Sequence, residues 1–220
     1  MSATDEVSAE LAEMLSGCRV CRSWAEQDEG PYHRDTQPHR RDVSEECDGV
    51  TVQLGIRLAR RGDTPFSDAV VEIWQCDALG RYSGFPPPGS SAAVTAATAP
   101  RAAYRPDQSF LRGRQRTGEA GMVEFRTIYP GWYPGRTVHI HVMVHTDGQV
   151  LTSQLYFPDR TSDEVLAQAP YATRPSRDTT NETDEIFATG GDPAVLDVVP
   201  SGEGYRAAIC LELPDPRAEP

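Results

Sequence analysis

The chain has 220 residues, enough for one domain with an additional arm, and 38% of them are hydrophobic, which supports a core but leaves much loop. A formal charge of −12 argues against a nucleic-acid partner, because phosphates call for a basic surface. No apolar run approaches the roughly 20 residues that span a bilayer, so no membrane segment is expected.

The first turn of sequence, MSATDEVSAELAEML, carries acids and no basic leader region, so a cytoplasmic location is expected. Eighteen Gly and eighteen Pro favour short strands and turns over long helices. Five Cys leave at least one unpaired within the chain. Cys18 and Cys21 form a lone CxxC without a second pair, and the spacing reads as structural or incidental. Cys76 and Cys210 lie in apolar strand-like runs and read as buried small side chains.

In chain order, residues 5–16 place Val7, Leu11, Met14 and Leu15 at helical spacing, and Gly17 follows as a stop. This short helix is expected to pack on the main body or on a second subunit, where it would form a homodimer contact. Residues 23–46 are polar, with Gly and Pro, and read as an extended loop in which His33 and His39 are solvated. The alternating run 50–59 reads as a strand, as does 69–76, which ends in a turn that delivers Tyr82. Residues 86–108 are rich in Pro, Ala, Ser and Gly and read as a long irregular loop. Order resumes at 110–113, and strands follow at 122–128, 150–157 and 205–213. Short helices are expected at 163–168 and within 181–189. Short strands, frequent turns and no strand–helix–strand rhythm predict an all-β fold, an antiparallel β-sandwich. Residues 1–46 would be the helical arm and 47–220 the main domain.

The stretch 129–145, YPGWYPGRTVHIHVMVH, carries the chemistry. Residues 137–145 alternate as a strand, and successive strand side chains point to opposite faces. Val138, Ile140, Val142 and Val144 share one face; His139, His141, Met143 and His145 share the other. The valine face can enter a core. Two imidazoles one pleat apart can grip one metal ion, or they can be two structural histidines. His145 is two pleats beyond His141, too far for the same ion, and no His follows it, so the second half of a cupin motif is missing. The remaining candidate ligands are phenols. Tyr82 and Tyr133 each follow a glycine-containing turn. A phenol has a pKa of about 10 and stays neutral unless a hard cation favours its anion. Two phenolates with two imidazoles suit Fe(III).

The blocks VEIWQCDALGRYSGF, FLRG, FRTIYPGWYPGRTVHIHV and TSQLYF, in that order, resemble the intradiol ring-cleavage dioxygenases, the catechol and protocatechuate dioxygenase family. The match runs from the EGPY at residues 29–32 to Phe157. The resemblance implies a mononuclear non-haem Fe(III) cofactor on a β-sandwich, held by Tyr82, Tyr133, His139 and His141. It further implies Arg136 and Gln154 as catalytic residues, with Tyr133 also accepting a proton, and an aromatic diol and O2 as substrates. The ring bond between the two hydroxylated carbons would break to give a muconate-type diacid. Arg136 would stabilise developing negative charge, and Gln154 would orient its neighbours.

The spacing from Tyr133 to His139 is shorter than in the best-known family members, and one short helix replaces their long helical N-terminal region. The chain is similar in this to the short, stand-alone actinobacterial-type branch. Two other readings remain beside catabolic ring cleavage: the same iron fold tailoring a natural-product diol, and a non-catalytic transthyretin-like β-sandwich that binds a partner. Trp74 and Trp132 read as packing residues.

Overall fold

A computed structural model describes residues 7–17, 22–23, 25–35, 37–86, 107–146 and 148–213. Cys18 and Cys21, and nearly all of the expected loop 86–108, lie outside these residues. The elements are α1 (Ala9–Gly17), β1 (Arg22–Ser23), β2 (Thr51–Arg60), β3 (Thr64–Pro65), β4 (Val70–Trp74), β5 (Arg112–Arg116), β6 (Met122–Ile128), β7 (His139–Thr146), β8 (Gln149–Tyr156), α2 (Asp159–Leu166), β9 (Asp197–Ser201) and β10 (Gly204–Glu212). Four short 3-10 turns lie in the stretch between α2 and β9.

Among the described residues the strands form two sheets. One is built on β2, with β6 and β10 as its neighbours; the other runs β5-β4-β7-β8. The second is antiparallel throughout. The first departs from the expected antiparallel pattern, because β10 runs parallel to β2 from Tyr205 opposite Val52 to Glu212 opposite Ala59. A parallel neighbour needs a long crossover instead of a hairpin. Here the chain between β2 and β10 carries the whole second sheet, a long-range pairing that local alternation does not encode.

The alternation does encode the core. Val52, Leu54, Ile56 and Leu58 of β2, Phe125 of β6 and Ile209 of β10 join Ile73 of β4 and Ile140, Val142 and Val144 of β7 in one apolar cluster. The expected β7 faces therefore hold: the branched aliphatics enter this cluster, and Met143 packs with a separate aromatic group on the opposite side.

The helical arm packs on its own body. Leu11 and Leu15 are 0% exposed and meet Ala208 of β10. Gly55 makes the approach possible, since a Cβ there would lie 3.1 Å from Leu15 Cδ1 and 3.2 Å from Leu11 Cδ2. Burying two leucines contributes roughly 1.5–3 kcal/mol each. The apolar face of α1 is thus spent within the chain.

Three other expectations change. The helix expected at 163–168 begins at Asp159, directly after Pro158, and the Asp sits in the first turn, where it meets the positive end of the helix. Cys210 is disulfide-bonded, not merely a buried small side chain; Cys47 and Cys76 are free. His33 is not a solvated loop residue. Its ring lies between Glu29 (2.9 Å) and the buried Glu72 (3.3 Å) and rests on Trp74 at a centroid distance of 4.7 Å. Two carboxylates and an indole give this imidazole more than water could.

Candidate active site

The register of the second sheet assembles the site. Trp74 of β4 stands opposite His141, which stands opposite Gln154 of β8; His139 stands opposite Tyr156. Because His139 and His141 are separated by one residue, both leave the core face together.

Two turns deliver the phenols. After β4, the Asp77 carboxylate accepts hydrogen bonds from the backbone N–H groups of Leu79 (2.9 Å) and Arg81 (2.8 Å) and from Arg81 Nε (2.8 Å), which closes the turn before Tyr82. Before β7, Tyr133 and Arg136 form a bridge, with Arg136 N–H donating to the Tyr133 carbonyl at 3.2 Å. The two turns lie against each other. Gly80 has φ +78, and a Cβ there would sit 2.2 Å from the Trp132 carbonyl oxygen. No side chain fits that gap, so glycine is required for Tyr82 and Tyr133 to meet.

Tyr82, Tyr133, His139 and His141 converge. His139 Nε2 lies 3.1 Å from Tyr133 Oη, 3.1 Å from His141 Nε2 and 3.5 Å from Tyr82 Oη. His141 Nε2 lies 3.1 Å from Tyr82 Oη. His139 Nδ1 is 2.7 Å from the Thr137 carbonyl, an acceptor, which fixes the proton on Nδ1 and leaves Nε2 as a lone pair. One imidazole lone pair cannot satisfy three approaching groups by hydrogen bonding. Donor atoms sharing one ion at bond lengths of about 2.0–2.1 Å are spaced by about 3 Å, and the four atoms here fit that pattern. Among the described residues no group of three or more His, Cys, Asp or Glu is arranged for a metal; the donors brought together here are two imidazoles and two phenols.

Burial sets the protonation of the set. It lowers His139 to about 3, helped by the Arg136 charge, and it holds His141 well below its ordinary value, helped by His139 and Arg136. Both imidazoles are therefore neutral and ready to donate a lone pair. Burial raises Tyr82 and Tyr133, and Arg136 opposes the rise at both. The phenols keep their protons unless a cation compensates.

Arg136 and Gln154 are neighbours. Arg136 Nη2 donates to Gln154 Oε1, and Gln154 Nε2 donates to the Asp28 carbonyl at 3.1 Å. Tyr156 Oη donates to Gln154 Oε1 at 3.3 Å. His145 stays away from the centre, 3.5 Å from Glu72. Trp74 and Trp132 are buried as expected, and Trp74 stacks on His141 with centroids 4.9 Å apart and planes 4° apart.

Four participants were not expected from sequence. Tyr32, from the polar arm, stacks on Tyr82 with centroids 4.4 Å apart and meets Tyr133 edge-on at 6.2 Å. Gly30, at φ +72, runs so close to the centre that a Cβ would lie 3.3 Å from His141 Cε1. Arg112 is fully buried, donates to the Tyr32 carbonyl at 2.7 Å and to Ser83 Oγ at 2.7 Å, and so ties the arm to the Tyr82 turn. Asp184 accepts from Arg136 Nε at 2.9 Å. The EGPY at residues 29–32 was the available signal for Gly30 and Tyr32; Arg112 and Asp184 fell in stretches read as ordered, with no signal of a role in the site. A cavity of about 730 Å³ beside the Tyr82 turn, lined by Cys47, Asp77, Arg81 and Phe85 among others, shares only Tyr82 with the four converging residues. It is a neighbour of the centre.

Residues 28–186 match the protein family described as Dioxygenase. The protocatechuate 3,4-dioxygenase beta chain of Burkholderia cepacia is 32% identical over 154 residues, which cover 66% of this chain and 58% of that protein. The chain thus spans less than two thirds of that curated relative. An intradiol ring-cleavage dioxygenase from Tetranychus urticae superposes with a TM-score of 0.75 at 31% identity, covering 87% of this chain and 94% of that one. The dioxygenase domain of a dioxygenase–carbohydrate-binding protein fusion from Streptomyces sp. SirexAA-E superposes with a TM-score of 0.59 at 29% identity, covering 85% and 96%.

Proposed function

The chain belongs to the intradiol ring-cleavage dioxygenase family, and from that membership we propose that it cleaves a catechol-type aromatic diol between its two hydroxylated carbons. Both atoms of O2 enter the product, a muconate-type diacid, so the reaction balances without an external reductant. The observation that carries this reading is the approach of Tyr82 Oη, Tyr133 Oη and His141 Nε2 to within 3.1–3.5 Å of His139 Nε2, with Tyr82 Oη also 3.1 Å from His141 Nε2.

In this reading the four residues hold a ferric ion. When bound, the ion supplies positive charge that favours phenolate over phenol and draws electron density from the diol. The remaining work falls to the chain. His139 and His141 arrive neutral, so neither needs to shed a proton before it can bind a cation. Tyr133 Oη would accept a proton from one diol hydroxyl. Arg136 holds a permanent charge next to the phenols and stabilises negative charge as it develops on the substrate. Gln154 keeps that guanidinium in orientation. Tyr32 and Trp74 exclude water from the two faces of the centre.

We read the two sheets as a β-sandwich, residues 47–220 as the catalytic domain and residues 1–46 as an arm that also walls the site. Tailoring of a natural-product diol uses the same centre and differs only in substrate. Family membership favours catalysis over a non-catalytic binding module.

The test is an oxygen-uptake screen with catechol, protocatechuate, hydroxyquinol and caffeate-like diols, with products identified by mass under isotopically labelled O2. A ring-opened diacid carrying both labelled atoms is expected from at least one diol. Purified, iron-loaded protein that consumes no oxygen with any of them, or that yields a product without the label, would overturn the proposal.

A further inference from the structure

A guanidinium on a flexible stem can stabilise developing charge only if it is already in place when that charge appears. Arg136 is held at two of its three nitrogens. Nη2 is engaged by Gln154. Nε is engaged by Asp184, a residue 48 positions away in the chain.

Asp184 is not a surface ion-pair partner. Its side chain is 0% exposed, against 14% for Arg136. Oδ2 accepts from Arg136 Nε at 2.9 Å and from the Thr137 backbone N–H at 2.7 Å. Oδ1 accepts from the backbone N–H groups of Ile186 at 2.8 Å and Phe187 at 2.9 Å. Four donors on one buried carboxylate make it a fixed anchor, fully satisfied and unable to swing. The same oxygen that orients the guanidinium also holds the backbone two residues before His139. Among the described residues Nη1 of Arg136 has no hydrogen-bond partner, so the one unengaged nitrogen is the one left to meet substrate.

We propose that Asp184 is a positioning residue for ring cleavage: its carboxylate, working with Gln154, locks the Arg136 guanidinium so that Nη1 is presented to negative charge arising on the diol. This rests on the dioxygenase reading above. Asp184 itself touches none of the four converging donors; it acts through Arg136. A purely architectural Asp184 would only tie residues 184–187 to the start of β7.

The two roles are separated by a double-mutant cycle on the iron-loaded protein with the best diol from the screen. Asp184→Asn keeps the shape but places an amide N–H against donors. It is expected to lower kcat about 100-fold, while anaerobic binding of 4-nitrocatechol changes by about threefold or less. In the Arg136→Gln background the same change is expected to add almost nothing. Nitrogen-15 NMR of the metal-free protein should show a slowly exchanging Arg136 Nε–H that disappears in Asp184→Asn. Losses that multiply in the double variant, or an unchanged kcat, would overturn the proposal. Should Asp184→Asn fail to fold, Asp184→Glu retains the charge one methylene further out; a fall in kcat of about 10-fold in the folded variant is expected, and parental kcat overturns the proposal. The underlying reading fails separately. Wild-type protein that opens no diol ring overturns ring cleavage whatever the NMR signal does, whereas an intact Nε–H signal in Asp184→Asn overturns the positioning role alone.

Discussion

The outer face of the β2–β10 sheet is closed by leucines of α1, and the outer face of the β4–β7–β8 sheet is closed by imidazoles, phenols and a guanidinium. The leucines, imidazoles and phenols on these faces are buried, and both sheets give their other side to one apolar cluster. The energetics differ. Leucine against Gly55 and Ala208 gains the full benefit of apolar burial. Polar groups brought inside must regain their hydrogen bonds merely to break even. The first cover stabilises the fold; the second is tolerated because the arrangement can do chemistry.

Substitutions on the two faces should therefore fail in different currencies. The largest effect is expected at the polar face. His139→Ala removes one of the four converging atoms and should cut ring-opening turnover by more than the 10–100-fold typical of outer-shell changes. Metal content should fall with it, while the urea midpoint of the metal-free protein stays near the parent's. Oxygen uptake, metal analysis and urea unfolding check the three parts. At the apolar face the order reverses. Leu15→Ala should lower unfolding free energy by about 2–4 kcal/mol, read by urea denaturation, with turnover per folded molecule unchanged. A variant equally damaged in both readouts would mean the faces are not independent.

Gly30→Ala probes the seam between arm and centre. The residue has φ +72 and faces His141 Cε1, so alanine should cost about 1–3 kcal/mol through backbone strain. The visible spectrum of the metal-loaded protein should shift as His141 gives way. Parental stability and spectrum would show that the arm does not press on the centre.

The smallest effect is a pH dependence on the apolar side. Burial pushes Glu124 up, but the Arg41 side chain and the Ser8 backbone N–H outweigh it and leave the carboxyl below its ordinary 4.5. A lowered folded value contributes stability that is complete above the unfolded value and is lost as pH falls through the folded one. Urea unfolding should show that loss between neutral pH and about pH 3, and Glu124→Gln should flatten it.

What could be read from sequence follows the range of each signal. The period of two in β7 is local, so the split between Val138, Ile140, Val142 and Val144 and the histidine face was legible. Tyr82 and Tyr133 were legible because each follows a turn with its own chemistry and sits in a block shared with a family. The partners that complete the site were not. Tyr32 and Gly30 come from a polar arm, and Asp184 from between two 3-10 turns; each reaches the centre only through tertiary packing. His33 read as solvated because nothing local reveals Glu72 beneath it. The parallel placement of β10 is likewise a choice of distant neighbour, to which alternation is blind.

Metal analysis and the visible spectrum of the purified protein test the four-donor centre most directly. About one iron per chain is expected, with a strong visible band from phenolate-to-iron charge transfer, and both should diminish in Tyr82→Phe and in Tyr133→Phe. A colourless, zinc-loaded chain with full ring-opening activity, or tyrosine variants of unchanged colour and iron content, would contradict it.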